Sequence, residues 1–174
     1  PYLSRGLGDV YKRQVYSHLS MKLKKVISNL SLEQKVSLLS GFDNWHTPDI
    51  KKYGIPKIKM SDGPNGVRGD SSTKQSSACF PSPILLGATW NEKLIKKIGS
   101  ATGEEALFKD VDVLLAPTIN LHRHPLGGRH FECYSEDPIL TSKIACAYVS
   151  GVQSKGVAAC LKHFAGNDTE YELS

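Results

Sequence analysis

The chain has 174 residues, 40% of them hydrophobic and 22% charged, with a formal net charge of +5. This is ordinary globular composition, which excludes a fibrous or wholly disordered chain and supports a single core. The lysines, among them Lys93, Lys96 and Lys97, are scattered through helical stretches without interleaved aromatics, so they are expected to be a solvated face, with no nucleic-acid partner.

Residues 1–20 fit nothing that follows, and their GLGDVYKRQ string resembles translated adapter sequence. Met21, with Lys22, Lys24 and Lys25 behind it, reads as a natural start, so 1–20 is expected to be a non-native head and 21–174 the domain proper. No run approaches the roughly eighteen apolar residues of a membrane span, and no hydrophobic signal core follows Pro1 or Met21. The expectation is a cytoplasmic protein with no membrane partner. Cys79, Cys133, Cys146 and Cys160 form no C-x-x-C pair and are expected to be reduced thiols.

The first clear element is a helix over 31–40. Ser31 and Gln34 make a capping box, Leu32, Val36 and Leu39 share a face, and Gly41 can end it. Ile55 to Met60 alternates apolar and basic residues and predicts a short strand that runs into a Ser61-Asp62-Gly63-Pro64 turn. Residues 70–83 read as loop. Asn91 can cap a helix with Leu94, Ile95, Ile98, Ala101 and Thr102 inward.

Val111 to Ala116 is β-branched and nearly all apolar, the character of a parallel strand covered on both faces, and Pro117 stops it. The polar stretch 118–136 is too long for a plain connector and is expected to be a functional loop. Asp137 caps the next helix, with Pro138 at its first position and Leu140, Ile144, Ala147, Tyr148 and Gly151 at helical spacing, and it runs to Gly156. Val157 to Leu161 is a second buried strand. Strand, helix, strand, helix, strand predicts right-handed crossovers and a parallel sheet, either part of a barrel or a doubly wound sheet. A closed eight-stranded barrel needs about 250 residues, so this length could hold only part of one.

In parallel α/β folds ligands bind beyond the C-terminal ends of the strands. Three polar segments stand there: 61–68, 118–136 and 162–168. Asp62 can accept from two neighbouring sugar hydroxyls, while Arg68, Arg129, Lys162 and His163 can donate to hydroxyl oxygens, a set that suits a polyol. Alternatively, Asp62 caps its turn and pairs with Arg68, and Lys162 makes a plain salt bridge. Adjacent strand residues point to opposite faces, so bringing Lys162 and His163 into one pocket requires distorted backbone.

His122, His124 and His130 lack the placement of a zinc site, and Gly127-Gly128-Arg129 lacks the flanking pattern of a phosphate loop. No metal and no cofactor is expected.

Six blocks, LSLEQKVSLLSG, WHT, KMSDGPNGVRG, CFPSPILLGATWN, APTINLHRHPLGGRHFECYSEDP and GVAACLKHFAGNDTEYE, stand in the order found in family 3 glycoside hydrolases, and together they resemble that family over nearly all of 30–172. The resemblance implies a partial TIM-like (β/α)8 barrel and places Asp62, Arg68, Arg129, Lys162 and His163 where relatives hold the sugar of the −1 subsite. It also implies non-proline cis peptides around Lys162-His163-Phe164. The activity implied is that of a retaining exo-β-glucosidase acting on a β-glucoside or oligosaccharide.

Relatives carry the nucleophilic aspartate in a downstream Ser-Asp-Trp, and the acid/base glutamate in a later domain. Both are expected beyond Ser174, so no catalytic carboxylate is assigned within the chain, which alone is expected to be inactive, with Glu136 or Asp137 structural. Asn167 stands where the family's β-N-acetylglucosaminidases place a second histidine after their KHF, which points to the β-glucosidase group. The alternatives are a β-xylosidase or β-N-acetylglucosaminidase, or a sugar-binding module that has lost its chemistry.

Overall fold

The structure, a computed structural model, describes residues 22–68 and 75–169. The expected non-native head, 1–20, lies outside the described residues. So does Ser174, the position beyond which the two catalytic carboxylates are expected. Two units follow one another, divided after Lys57.

In the first unit, residues 22–29 (α1) and Leu32–Ser37 (α2) are helical. The capping box forms as the sequence indicates: Gln34 N–H donates to Ser31 Oγ at 3.2 Å and Ser31 N–H to Gln34 Oε1 at 3.0 Å. The helix stops at Ser37, short of the expected Ser40, and Leu32, Val36 and Leu39 are exposed. Asp43 Oδ1 accepts the N–H groups of Trp45 and His46, both at 2.8 Å, and an antiparallel bridge joins Ile50 to Ile55.

The second unit carries the sheet. Its strands are β1 (Met60–Asp62), β2 (Val113–Leu115) and β3 (Ala158–Ala159), parallel and in sequential order. Met60 pairs with Val113 and Asp62 with Leu115, while Val113 pairs with Ala158. The strand expected from Ile55 begins only at Met60. Pro56 has no N–H to give a ladder, and the Lys59 N–H goes to the Asp112 carboxylate at 2.8 Å.

Four helical segments follow β1 among the described residues. These are α3 (Pro83–Gly87), α4 (Glu92–Phe108), a 3₁₀ turn (His130–Glu132) and α5 (Pro138–Gln153). Asn91 Oδ1 caps α4 by accepting from Leu94 N–H at 3.1 Å. Asp137 Oδ1 caps α5 by accepting from Ile139 N–H at 2.8 Å, the structural role expected of it.

The buried stripe of α4 is Ile95, Gly99, Thr102, Gly103 and Ala106. Of the residues expected inward, Ile95 and Thr102 are buried and Ile98 packs on the core, whereas Leu94 and Ala101 are exposed, because the face laid against α5 runs through Gly99 and Gly103. A Cβ on Gly99 would lie 2.3 Å from Tyr148 O, and one on Gly151 would lie 2.3 Å from Lys96 O. Bare glycine backbones therefore let the two helices touch. The core of this unit, with Leu114, Tyr148, Ile144 and Val152 at its centre, fills the space between these helices and the sheet.

At the far end of α4, Lys109 is buried at 5% exposure. Its ammonium donates to Glu105 Oε1 at 2.7 Å, Ser77 Oγ at 2.6 Å and Val67 O at 3.1 Å. Burying this charge is tolerable because it is paired, and the pairing fastens the backbone next to Arg68 onto the helix. Among the described residues no helix is long and apolar enough to cross a membrane.

Gly151→Ala should lower stability by about 1–3 kcal/mol, since the added methyl meets backbone that cannot yield. Gly128→Ala, with nothing within 4 Å of its Cβ, should stay within about 0.5 kcal/mol of the parent in urea denaturation.

Candidate active site

The ends of the three strands bring sequence-predicted residues, Asp62 at β1 and Lys162 beyond β3, together with two outside the predicted set, Thr118 and Asn120 beyond β2. Asp62 is the last residue of β1. Beyond β2 the chain turns through a cis Ala116-Pro117 bond into Thr118 and Asn120, both buried. Beyond β3 the pairing continues: Lys162 N–H donates to Pro117 O at 3.0 Å and Ile119 N–H to Lys162 O at 2.7 Å. Lys162 is thereby held in register with Thr118.

Lys162 Nζ donates to Asp62 Oδ1 at 2.6 Å, so a side chain from beyond β3 passes over the middle strand to the end of β1. The same ammonium lies 4.0 Å from Glu132 Oε2. Glu132 Oε1 accepts from Arg129 Nε, and Oε2 accepts from Thr118 Oγ1 at 3.1 Å. Asp62, Lys162, Glu132 and Arg129 thus form one chain of alternating charge drawn from three segments.

The Lys162-His163 and Phe164-Ala165 peptide bonds are cis, as the family resemblance implies. His163 is clasped by Asn120, which accepts its N–H at 2.8 Å and donates to its carbonyl at 3.2 Å. It lines a small cavity with Asn120, Arg129, Glu132 and Asn167, while Lys162 reaches Glu132 from its own side. Glu132 thus lines the cavity that His163 lines and lies 4.0 Å from the Lys162 ammonium, while Lys162 itself is not among the residues lining that cavity.

Arg68 is tied to Asp62 through backbone: its N–H donates to Asp62 O at 2.8 Å, and its carbonyl accepts from Ser61 Oγ at 2.9 Å.

The histidines of the 118–136 loop serve its shape. His122 Nε2 lies 2.9 Å from His130 O and 3.1 Å from Cys133 O, and its ring stacks on that of His130 at 4.9 Å. Among the described residues no group of three or more His, Cys, Asp or Glu is placed to hold a metal ion. Asp168 joins two loops, accepting from Leu121 N–H at 2.9 Å and from Arg123 Nε at 3.4 Å. Glu132, Thr118, Asn120 and Asp168 are absent from the sequence-predicted set. The Arg129-x-x-Glu132 spacing is a usable signal, because residues three apart eclipse in a 3₁₀ turn.

Burial pushes the Cys133 thiol up to about 11, with the Glu132 charge adding to the effect. A thiol in the unfolded chain titrates near 8.5. The folded-state value is the raised one, so this contribution to stability is complete below about pH 8.5 and is lost as pH climbs towards 11. At pH 8, Cys79 and Cys146, both exposed, should react with a thiol reagent much faster than Cys133, as labelling followed by mass spectrometry would read.

Residues 17–173 match the model of the glycosyl hydrolase family 3 N terminal domain. A β-glucosidase of Rhizobium radiobacter is 55% identical over 149 residues, which are 84% of this chain and 18% of that protein. Thermostable β-glucosidase B of Acetivibrio thermocellus is 44% identical over 161 residues, 88% of this chain and 21% of that protein. Among solved structures, β-glucosidase 3B from Thermotoga neapolitana in complex with glucose superposes with a TM-score of 0.79 at 39% identity, over 87% of this chain and 24% of that one. The chain therefore spans about a fifth of the length of the curated relatives it matches.

Proposed function

This chain belongs to glycoside hydrolase family 3, and from that membership we propose that it forms the sugar-holding wall of the −1 subsite of a retaining exo-β-glucosidase. The observation that carries the reading is the Asp62–Lys162–Glu132–Arg129 chain at the C-terminal edge of the sheet, where parallel α/β folds bind ligands. The relatives from Rhizobium radiobacter and Acetivibrio thermocellus are both named β-glucosidases, which favours glucose as the sugar.

The chemistry of the cluster suits a pyranose. Asp62 gives one oxygen to Lys162 and has a second with which to accept a sugar hydroxyl, and its side chain is 36% exposed. Lys162 carries three N–H donors and spends one on Asp62. Arg129, 41% exposed, and His163 would complete the ring of donors, and Arg68 stands beside Asp62 at the rim. The parallel sheet in sequential order, with α4 and α5 packed side by side, supports a reading as the first part of a (β/α)8 barrel.

A retaining mechanism needs two carboxyl groups about 5–5.5 Å apart, one attacking the anomeric carbon and one protonating the leaving oxygen. We assign neither role to a residue of this chain and propose that both carboxylates come from sequence beyond Ser174. The proposed contribution of the chain is orientation: fixing the hydroxyls so that the anomeric carbon meets the nucleophile supplied by the rest of a whole enzyme.

The test is a chimera in which this segment replaces the aligned part of the Rhizobium radiobacter β-glucosidase. It should hydrolyse an aryl β-D-glucoside, and Asp62→Asn or Lys162→Met should lower kcat/KM by about 10²–10³, as expected for loss of a charged hydrogen bond to the sugar. The isolated chain should show no turnover. Variants within threefold of an active parent chimera would overturn the assignment of Asp62 and Lys162.

A further inference from the structure

The most deeply placed member of the charge chain is the one that the sequence does not single out. Side-chain exposure falls from 41% at Arg129 and 36% at Asp62 to 15% at Lys162 and 7% at Glu132. The groups able to touch a ligand are the outer ones. Glu132 has both oxygens committed inward, Oε1 to Arg129 and Oε2 to Thr118, with Lys162 at 4.0 Å.

We propose that Glu132 is a positioning residue that holds Arg129 and Lys162 in the geometry with which they grip the sugar. The inference rests on the −1 subsite reading for its purpose, but its geometry stands independently. Three features carry it.

Glu132 closes the 3₁₀ turn His130–Glu132 that begins at Arg129, where side chains three apart eclipse, so the local fold alone sets its carboxylate against the guanidinium. Thr118, 1% exposed, anchors the other oxygen, and Thr118 is the residue bridged in parallel to Lys162. One carboxylate therefore locks the Arg129 turn to the end of β2 and, through the bridge, to the backbone of Lys162.

The charge balance completes the argument. Glu132 is the carboxylate between the two cations, bonded to Arg129 and 4.0 Å from the Lys162 ammonium, so removing its charge takes away the screening between them. With it, two acids and two bases alternate and both cations can face the same ligand. A buried carboxylate is costly unless fully partnered, and Glu132 has the partners.

The inference can be tested on the 174-residue chain by ¹⁵N NMR of the Arg129 Nε–H and Lys162 ammonium signals, with D-glucose as the titrant. Glu132→Gln keeps the shape and removes the charge. It should speed hydrogen exchange of the Arg129 Nε–H at least tenfold, lower protection of the Lys162 ammonium, which keeps Asp62 at 2.6 Å, at least twofold, and weaken glucose binding at least fivefold. Amide protection at Ile95 and Ile144 should hold, and Glu132→Asp should restore part of the Arg129 signal.

Arg129 and Lys162 signals unchanged in Glu132→Gln would overturn the proposal. If that variant unfolds, shown by lost protection at Ile95 and Ile144, Thr118→Val decides. This substitution removes only the hydroxyl at Oε2 and should perturb the same two signals about threefold, and no perturbation would overturn the proposal. Should the parent chain fail to bind glucose while the signals still shift in Glu132→Gln, the positioning role of Glu132 stands, and the subsite reading is decided separately by the kcat/KM of the chimera.

Discussion

The 2.6 Å contact between Lys162 and Asp62 is the constraint on which the rest of the site depends. It joins residues 100 positions apart in sequence, so it exists only if β1, β2 and β3 hold their order and register. The middle strand ends before the ammonium crosses it. Beyond that point the ladder survives as two backbone hydrogen bonds between the 117–119 segment and Lys162. Asn120 then takes both backbone groups of His163, leaving the Lys162-His163 turn little freedom.

What keeps the strands in place lies on the helical side. The contact of α4 with α5 is backbone to backbone at Gly99 and Gly151, and such contacts transmit position because no side chain intervenes to absorb a shift. At the end of α4, the buried Lys109–Glu105 pair fixes Val67 and hence the start of the Arg68 segment. Tight helix packing and a single buried ion pair thus bear on the same rim that the proposed sugar would occupy.

The parts of this architecture that repeat along the chain are legible in the sequence. Period-3.6 patterns locate α4 and α5, their Asn91 and Asp137 caps form as read, and the two apolar runs are β2 and β3. Apolar content overstates the strands, because residues such as Val111 and Val157 are buried by packing without being paired. On α4 the helical pattern places Ile95, Ile98 and Thr102 inward as found, but it adds Leu94 and Ala101, which lie off the buried stripe, and passes over Gly99 and Gly103, which lie on it. In the site, residues that follow strands are found because topology places them there. Glu132 escapes a sequence reading because nothing in its local sequence announces burial, and its importance comes from Thr118 and Lys162, 14 and 30 positions away. His163 is a third case. Strand alternation sets it opposite Lys162, and strand pairing stops at Lys162: His163 is held by the Asn120 side chain and lines a cavity that Lys162 does not line.

The balance of charge also bears on what kind of ligand the rim suits. Gly127-Gly128-Arg129 leads into a 3₁₀ turn, and the charge that an oxyanion would require from Arg129 is met by Glu132 within the protein. Lys162 is likewise matched by Asp62. Under the proposed sugar-site reading, cations already paired within the protein would attract a phosphate less than free ones would, despite the net positive charge of the chain. What remains available is directional hydrogen bonding, with carboxylate acceptors and ammonium and guanidinium donors held at fixed positions. In the proposed −1 subsite such a surface would discriminate by the placement of hydroxyls, a pattern that a neutral pyranose offers without the cost of stripping water from a second full charge.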